Sequence, residues 1–523
     1  MEPSPPSDLA PILAAASDFS SYPGSQTDAS AEEFLDRFPL PAIFSLLQTE
    51  ADVPGLEATI VGCLDRVFKT RYGASVLLQY LPFLQAGLQA NSQMVRCLAC
   101  KAVSYILEST EDKGIVVKNL VGYDIYSLLI DCLIKGNEET SAASLNAIKN
   151  IARCPEGMSV IFPATSEGSI QLEVVAAHCS SLGRIRVLAL IKELFSLSSS
   201  AASAVYDANL LQLFEAEIYK SDDMLTTMSA LELLYELVES PHSSKFLLKT
   251  ALLQKLTDTI SNASIDCVLR SRAISISGRL LSSPDSYTDV EESRVTSLLL
   301  AIDRRLKLLE SLDANECESA LEALGQIGTS THGAVLLLTS STIVARHVFE
   351  IAFGHEGRGK QLAALHALGD ICGVNRPEDS MLLNNNAEEC LKRLFYSTAA
   401  RTSKLTPSGL LLSVLQQEPD IRLAAYRLIS SLVVRPWCLK EVCSKRDIIT
   451  IVTDANIEGT KNGMDARFHC CTAINSALLA SNLLNDASIA ESAAKLQEAV
   501  RRGPYLAKRH IEPQPLVVTA DRF

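Results

Sequence analysis

Residues 409–443 read GLLLSVLQQEPDIRLAAYRLISSLVVRPWCLKEVC. An apolar stretch runs into Glu418-Pro419-Asp420, and a second, alanine-bearing stretch begins at once with Arg422 near its first turn. Apolar residues three and four apart mark both as helices. The pattern recurs. Aligning the start of each such helix on Arg422 gives Arg96, Ser141, Arg186, Thr227, Arg270, Cys317, Lys360, Arg422 and Arg467. The intervals are 45, 45, 41, 43, 47, 43, 62 and 45 residues. A period near 45 lies in the range of HEAT and armadillo units.

Each unit is expected to be an outer helix, a short turn and an inner helix. Neither helix buries its apolar stripe alone, so units stack and a continuous core runs along the array. Small residues near the start of the inner helix (Ala99, Ala189, Ala230, Ala273, Ala320, Ala363, Ala425) let neighbouring helices approach closely. No segment alternates with period two long enough for a sheet; ASVLLQYLPFL and DIITIVTD pass as strands only locally. The expected fold is all-α, a HEAT/armadillo-like α-solenoid coiled into a curved superhelix.

Residues 1–30, rich in Pro, Ser and Ala, read as a flexible tail with at most one short helical turn. Residues 31–500 form the array and 501–523 a C-terminal tail. The long interval holds GVNRPEDSMLLNNNAEECL at 373–391, whose Asn, Pro and Asp suggest an inserted loop. Polar links are expected near 282–294 and 454–464.

The chain has 523 residues, 47% hydrophobic and 6% aromatic, with formal charge −14. That balance argues against wrapping nucleic acid or anionic lipid. The 14 cysteines mostly sit in apolar helical text, where a thiol acts as a small hydrophobe. No run approaches eighteen uninterrupted apolar residues and no basic, apolar leader opens the chain. A reducing compartment is expected, the cytoplasm first and the nucleus also open.

Chemical motifs are weak. GHEGRGKQ (Gly354–Gln361) fits G-x-x-x-x-G-K but ends in Gln361 where a phosphate loop needs Ser or Thr. Cys97 and Cys100 form a C-x-x-C inside a helix with no second pair, and His469 beside Cys470-Cys471 has no further ligand at helical spacing. The expectation is a protein with no catalytic group, cofactor or metal. The first-turn arginines are expected to bind an acid or carbonyl of a neighbouring unit. Partner contact is expected on the concave face formed by the inner helices, with Glu193, Tyr235, Glu236 and Arg279 as candidates.

The C-terminal third carries a resemblance. DIRLAAYRLISSLVVRPWCLKEV, with Pro436-Trp437 after an alanine-rich helix, resembles a segment of the 26S proteasome non-ATPase regulatory subunit 5 family. Asp465-Ala466-Arg467-Phe468 resembles that family's Asp-Ala-Lys-Tyr, and Gly503-Pro504-Tyr505 followed by Lys508 resembles its Gly-Pro-Tyr tail. The Arg467 and Phe468 replacements, the Lys508-Arg509-His510 tail and the Ser/Pro/Ala-rich start depart from it. The resemblance implies a C-shaped helical-repeat chaperone of the proteasome's regulatory particle, without enzymatic activity or cofactor. It would hold the C-terminal domain of one ATPase, regulatory subunit 7, in a precursor module with a neighbouring ATPase and a large non-ATPase scaffold subunit. It would be a monomer when free, with no nucleic-acid or membrane partner. A transport adaptor, a scaffold for another complex, and an enzyme on a helical array remain as alternatives.

Overall fold

The nine positions aligned on Arg422 fall on nine long helices: α1 (Gln93–Ser109), α2 (Glu138–Ile151), α3 (Ser181–Leu197), α4 (Met224–Val238), α5 (Cys267–Leu280), α6 (Ala314–Thr329), α7 (Arg358–Cys372), α8 (Pro419–Leu432) and α9 (Lys461–Leu479). The computed structural model describes residues 10–49, 54–163, 171–219, 223–288, 290–308, 313–340, 344–354, 357–486 and 489–505, and among these there is no strand. The chain divides into two units, residues 1–255 and 256–523.

In the first unit, the helix Leu56–Phe68 packs on α1, and α1 to α4 follow side by side in chain order. In the second, α5 to α9 do the same, with Ala490–Arg502 closing the row against α9. Each unit is an α-solenoid.

The starts of these helices are written in polar residues. Ser92, Asn137, Ser180, Asp223, Asp266, Asp313 and Thr460 each accept from a backbone amide of the first turn of the helix that follows. Each such cap is worth about 0.5–2 kcal/mol. At α8, Pro419 occupies the first helical position, where its missing N–H costs nothing.

The expected single outer helix is two. Lys113–Gly122 and Ile125–Lys135 follow α1, Ser199–Asp207 and Gln212–Tyr219 follow α3, and Thr331–Thr339 and Val344–Ala352 follow α6. Asp124 and Asn209, at φ 55° and 56°, turn the chain between the first two pairs. Asp and Asn tolerate that left-handed geometry better than other residues with a Cβ. The repeat is thus a three-helix, armadillo-type unit.

Three further expectations change. Within residues 1–30, Ala10–Ser21 is a helix packed on Leu56–Phe68 with Ala16 buried, and a second helix starts at Asp28 after the Thr27 cap. The Ser/Pro/Ala composition predicts a tail, but its alanines give helix propensity and a small buried contact. In the 373–391 insertion, Asn385–Arg401 is a 17-residue helix, so only 373–384 is non-α-helical, with one 3₁₀ turn. Asn384 caps that helix by accepting from Ala387 N (2.9 Å), so the asparagines start a helix rather than resist one. The other links are short too: Glu292–Leu306 is helical, and α9 begins at Lys461. Residues 506–523, which hold most of the expected C-terminal tail, lie outside the described residues; Arg502 still belongs to the last helix.

The row is tightest in the second unit. A Cβ on Gly278 would stand 2.6 Å from Ala323 Cα, one on Gly325 2.8 Å from Ala367 Cα, and one on Gly328 2.5 Å from Ile371 Cγ1. Backbones here approach as only glycine allows.

Candidate partner-binding face

The aligned residues at the helix starts face inward, and at six of the nine long helices they or a neighbour bind the end of the helix before; Arg186 instead reaches back to Leu133 O (3.2 Å), Ile134 O (3.0 Å) and Gly136 O (2.7 Å). Arg96 Nε donates to Leu88 O (3.0 Å), Ser141 Oγ to Leu133 O (2.9 Å) and Thr227 Oγ1 to Glu217 O (3.2 Å). Arg422 Nη1 donates to Gln417 O (2.8 Å) and Arg467 Nη1 to Val452 O (2.8 Å). At the Lys360 position the neighbour does it: Gln361 Nε2 donates to Ala352 O (3.1 Å). Carbonyls at a helix C-terminus lack intrahelical partners, and this register supplies them. The recurring arginine of the opening stretch is structural.

In the second unit, carboxylates within the packing join consecutive repeats. Glu316 lies between Arg270 Nη2 (2.9 Å) and Arg305 Nε (2.6 Å) and is 1% exposed. Burial pushes its pKa up, but the two guanidiniums outweigh that and hold it below the ordinary carboxylate value. Glu458 accepts from Tyr426 Oη (2.9 Å) and pairs with Arg422. Arg435 forks onto Glu388 through Nε (2.7 Å) and Nη2 (2.9 Å).

The opposite side of α1 to α4 meets solvent and carries a charge ladder. Lys149 of α2 pairs with Glu193 of α3; Lys192 pairs with Glu193 (2.8 Å) and with Glu236 of α4 (2.8 Å). Partners on adjacent helices are 44 residues apart, one repeat. The ladder continues as Asn150 Nδ2 donates to Glu108 (2.8 Å) and Tyr105 Oη to Asp65 (3.1 Å). Burial pushes Glu193 up, while Lys149 and Lys192 together bring it below its usual value; Lys192, which burial would lower, is raised by Glu193 and Glu236.

Of the residues picked from sequence, Glu193 and Glu236 are brought into one network through Lys192, and Tyr235 lies half-buried beside Glu236 on α4. Arg279 lies in the second unit, half-buried on α5, where it offsets the upward shift that burial and Glu318 impose on Glu322. Sequence reasoning missed Lys149 and Lys192; the 44-residue spacing of opposite charges was the available signal. It also missed a cluster on α7 and α8. Arg427 Nη1 donates to His366 Nδ1 (3.1 Å), and Asn375 Nδ2 donates to Asp370 Oδ1 (2.7 Å). Burial raises Asp370 to about 6 against the pull of Arg427, Asn375 and Arg376, and lowers His366, with Arg427 adding to the effect.

The weak chemical motifs resolve into packing. Gly357, at φ 108°, turns the chain into α7, and Gln361 caps a carbonyl; His355 and Glu356 lie outside the described residues. Cys97, Cys100, Cys470 and Cys471 are buried, and no three His, Cys, Asp or Glu side chains converge for a metal among the described residues. No single helix among them is long and apolar enough to cross a membrane.

No curated protein matches this chain. Among solved structures, one engineered protein aligns at TM-score 0.44 and 15% identity, covering 80% of this chain and 98% of its own. A second engineered protein aligns at TM-score 0.37 and 15% identity, covering 50% and 97%. The family described as proteasome non-ATPase 26S subunit matches residues 19–520. That span takes in both units and the charge ladder, and so the chain belongs to the proteasome non-ATPase 26S subunit family, with a proteasome-related role and partners in the proteasome complex.

Proposed function

We propose that the protein is a non-enzymatic chaperone for assembly of the base of the 26S regulatory particle. It holds the C-terminal domain of one ATPase, regulatory subunit 7, in a precursor module that also contains a large non-ATPase scaffold subunit. The observation that carries this reading is the half-exposed ladder on α1 to α4 in a chain of a proteasome subunit family. A row of stacked helices displays side chains at one-repeat intervals, a geometry suited to a protein surface rather than a small substrate. Holding one ATPase domain raises the population of the partial ring and blocks premature contacts by bulk, and neither effect needs a cofactor. The work is proposed to take place in the cytoplasm.

The test is binding of the purified full-length chain to the isolated C-terminal domains of the six proteasomal ATPases, side by side. Selective binding to the regulatory subunit 7 domain is expected. Binding to none of the six would overturn the chaperone reading.

A further inference from the structure

The short helices that follow α1 to α4 form a second row. Lys113–Gly122 packs on Pro155–Ile161, and Ser199–Asp207 packs on Ser243–Leu247. Between these two pairs the row opens into a groove made of two adjoining hollows, about 820 and 490 Å³ in volume. Phe162 and Ala204 line both hollows and so mark the join. Leu197 adds apolar surface to the larger one, and Ile161, Leu172 and Leu210 to the smaller. Clefts of this volume, apolar with a few polar groups at fixed places, are the kind that hold ligands.

The two ends carry charges of opposite sign, and those charges are uncommitted. In the larger hollow the charged lining residues are Lys149 and Arg153. Lys149 is taken by Glu193, but Arg153 is exposed and its Nη1 donates to the neutral Asn150 Oδ1 (2.9 Å). In the smaller hollow they are Glu173 and Asp207, both exposed. Asp207 accepts from Ser203 Oγ (3.2 Å). Among the described residues neither carboxylate meets a cation, and Arg153 meets no acid.

One wall repeats the pattern. Ser199–Asp207 runs from one hollow to the other, with Ser198 and Ser200 lining the larger and Asp207 the smaller. Its positive end therefore lies with Arg153 and its negative end with the two carboxylates. At each end an occupant meets side-chain charge and helix dipole of the same sign. From Ser200 to Asp207 the helix rises about 10 Å. About three residues of extended chain span that length.

Resting on the partner-binding reading, we propose that this groove docks a short extended segment of the partner protein. The segment sets an Asp or Glu against Arg153 and, about three residues away, a Lys or Arg against Glu173 and Asp207. Apolar side chains between the two cover Phe162 and Ala204.

The test uses the full-length chain and short labelled peptides that differ only in the charges beside a Leu-Leu centre: Glu-Leu-Leu-Lys, Lys-Leu-Leu-Glu, Glu-Leu-Leu-Glu and Lys-Leu-Leu-Lys, each between Gly-Ser ends. The ATPase C-terminal domains are titrated in parallel. One of the two mixed peptides is expected to bind at least about 10-fold more tightly than either like-charged one, and the order that wins gives the direction of the bound chain. R153E should transfer the preference to Lys-Leu-Leu-Lys, and E173K/D207K to Glu-Leu-Leu-Glu. These side chains are exposed, so circular dichroism and Tm should match wild type; should the double variant misfold, R153E alone still decides. Equal binding of the four peptides, binding of none, or a preference that the variants leave unchanged overturns the proposal. Self-association seen in sedimentation velocity and abolished by R153E would make a second copy the occupant and overturn it too. A transferred preference while no ATPase domain binds would sink the chaperone reading and leave the groove. Domain binding that ignores both variants, with no preference among the peptides, would do the reverse.

Discussion

Glu316 shows how a single charge holds two consecutive repeats of the second unit together. It is enclosed by Arg270 and Arg305, so E316A leaves two guanidiniums without their acid. Removing one member of a buried ionic group costs about 3–5 kcal/mol, which urea unfolding should register. Its pKa is held below the usual value, so this stabilisation is present above the unfolded-state value and is lost as pH falls through the folded one. Asp370 has the opposite sign. Its carboxyl is raised to about 6, so its contribution to stability is greatest below the unfolded value near 4 and is lost as pH rises through 6. D370N is therefore expected to raise Tm at pH 8, by at most about 3 kcal/mol of stability, with the gain shrinking toward pH 4. A variant that lowers Tm at pH 8 would show that the bond from Asn375 and the pull of Arg427 outweigh burial.

At the level of helices, the close approaches of α5, α6 and α7 set the spacing of the second unit. G325V puts a branched side chain where a Cβ already stands 2.8 Å from Ala367 Cα. Overpacking of this kind costs about 1–3 kcal/mol and should show as a lower urea midpoint with an unchanged slope. G278V, against Ala323, should behave alike. The alanines flagged from sequence are a mixed set: Ala230, Ala273, Ala320 and Ala425 are fully buried, whereas Ala189 and Ala363 are half-exposed. The glycines that set the tightest contacts were invisible because a glycine in helical text reads only as lost propensity until its neighbour is known. Helix starts were legible in principle, since Ser, Asn, Asp and Thr caps are local chemistry; the run Asn384-Asn385-Asn386 was misread because the same residues also make loops.

Over the whole molecule, the interior and the solvent face are separable. Glu236, the most exposed member of the ladder, contributes little to folding, because surface ion pairs in water are worth about 0–1 kcal/mol after screening. E236A is expected to shift stability by less than about 1 kcal/mol while weakening capture of the ATPase domain, read by the binding titration. A large loss of Tm would mean that the ladder belongs to the fold rather than to a docking face. The sequence by itself determined the all-helical array, its period and the nine long helices. Those follow from apolar spacing and from the rule that such helices must stack to bury their stripes. It also pointed to the role of the recurring arginines, expected to bind an acid or carbonyl of a neighbouring repeat, as Arg270 does with Glu316. Only the tertiary structure decided the three-helix unit, the glycine contacts, and the Lys149–Glu193 and Lys192–Glu236 pairs. Each of these depends on which residues one repeat apart come together. That is set by the rotation and rise between neighbouring helices, which a one-dimensional period does not contain.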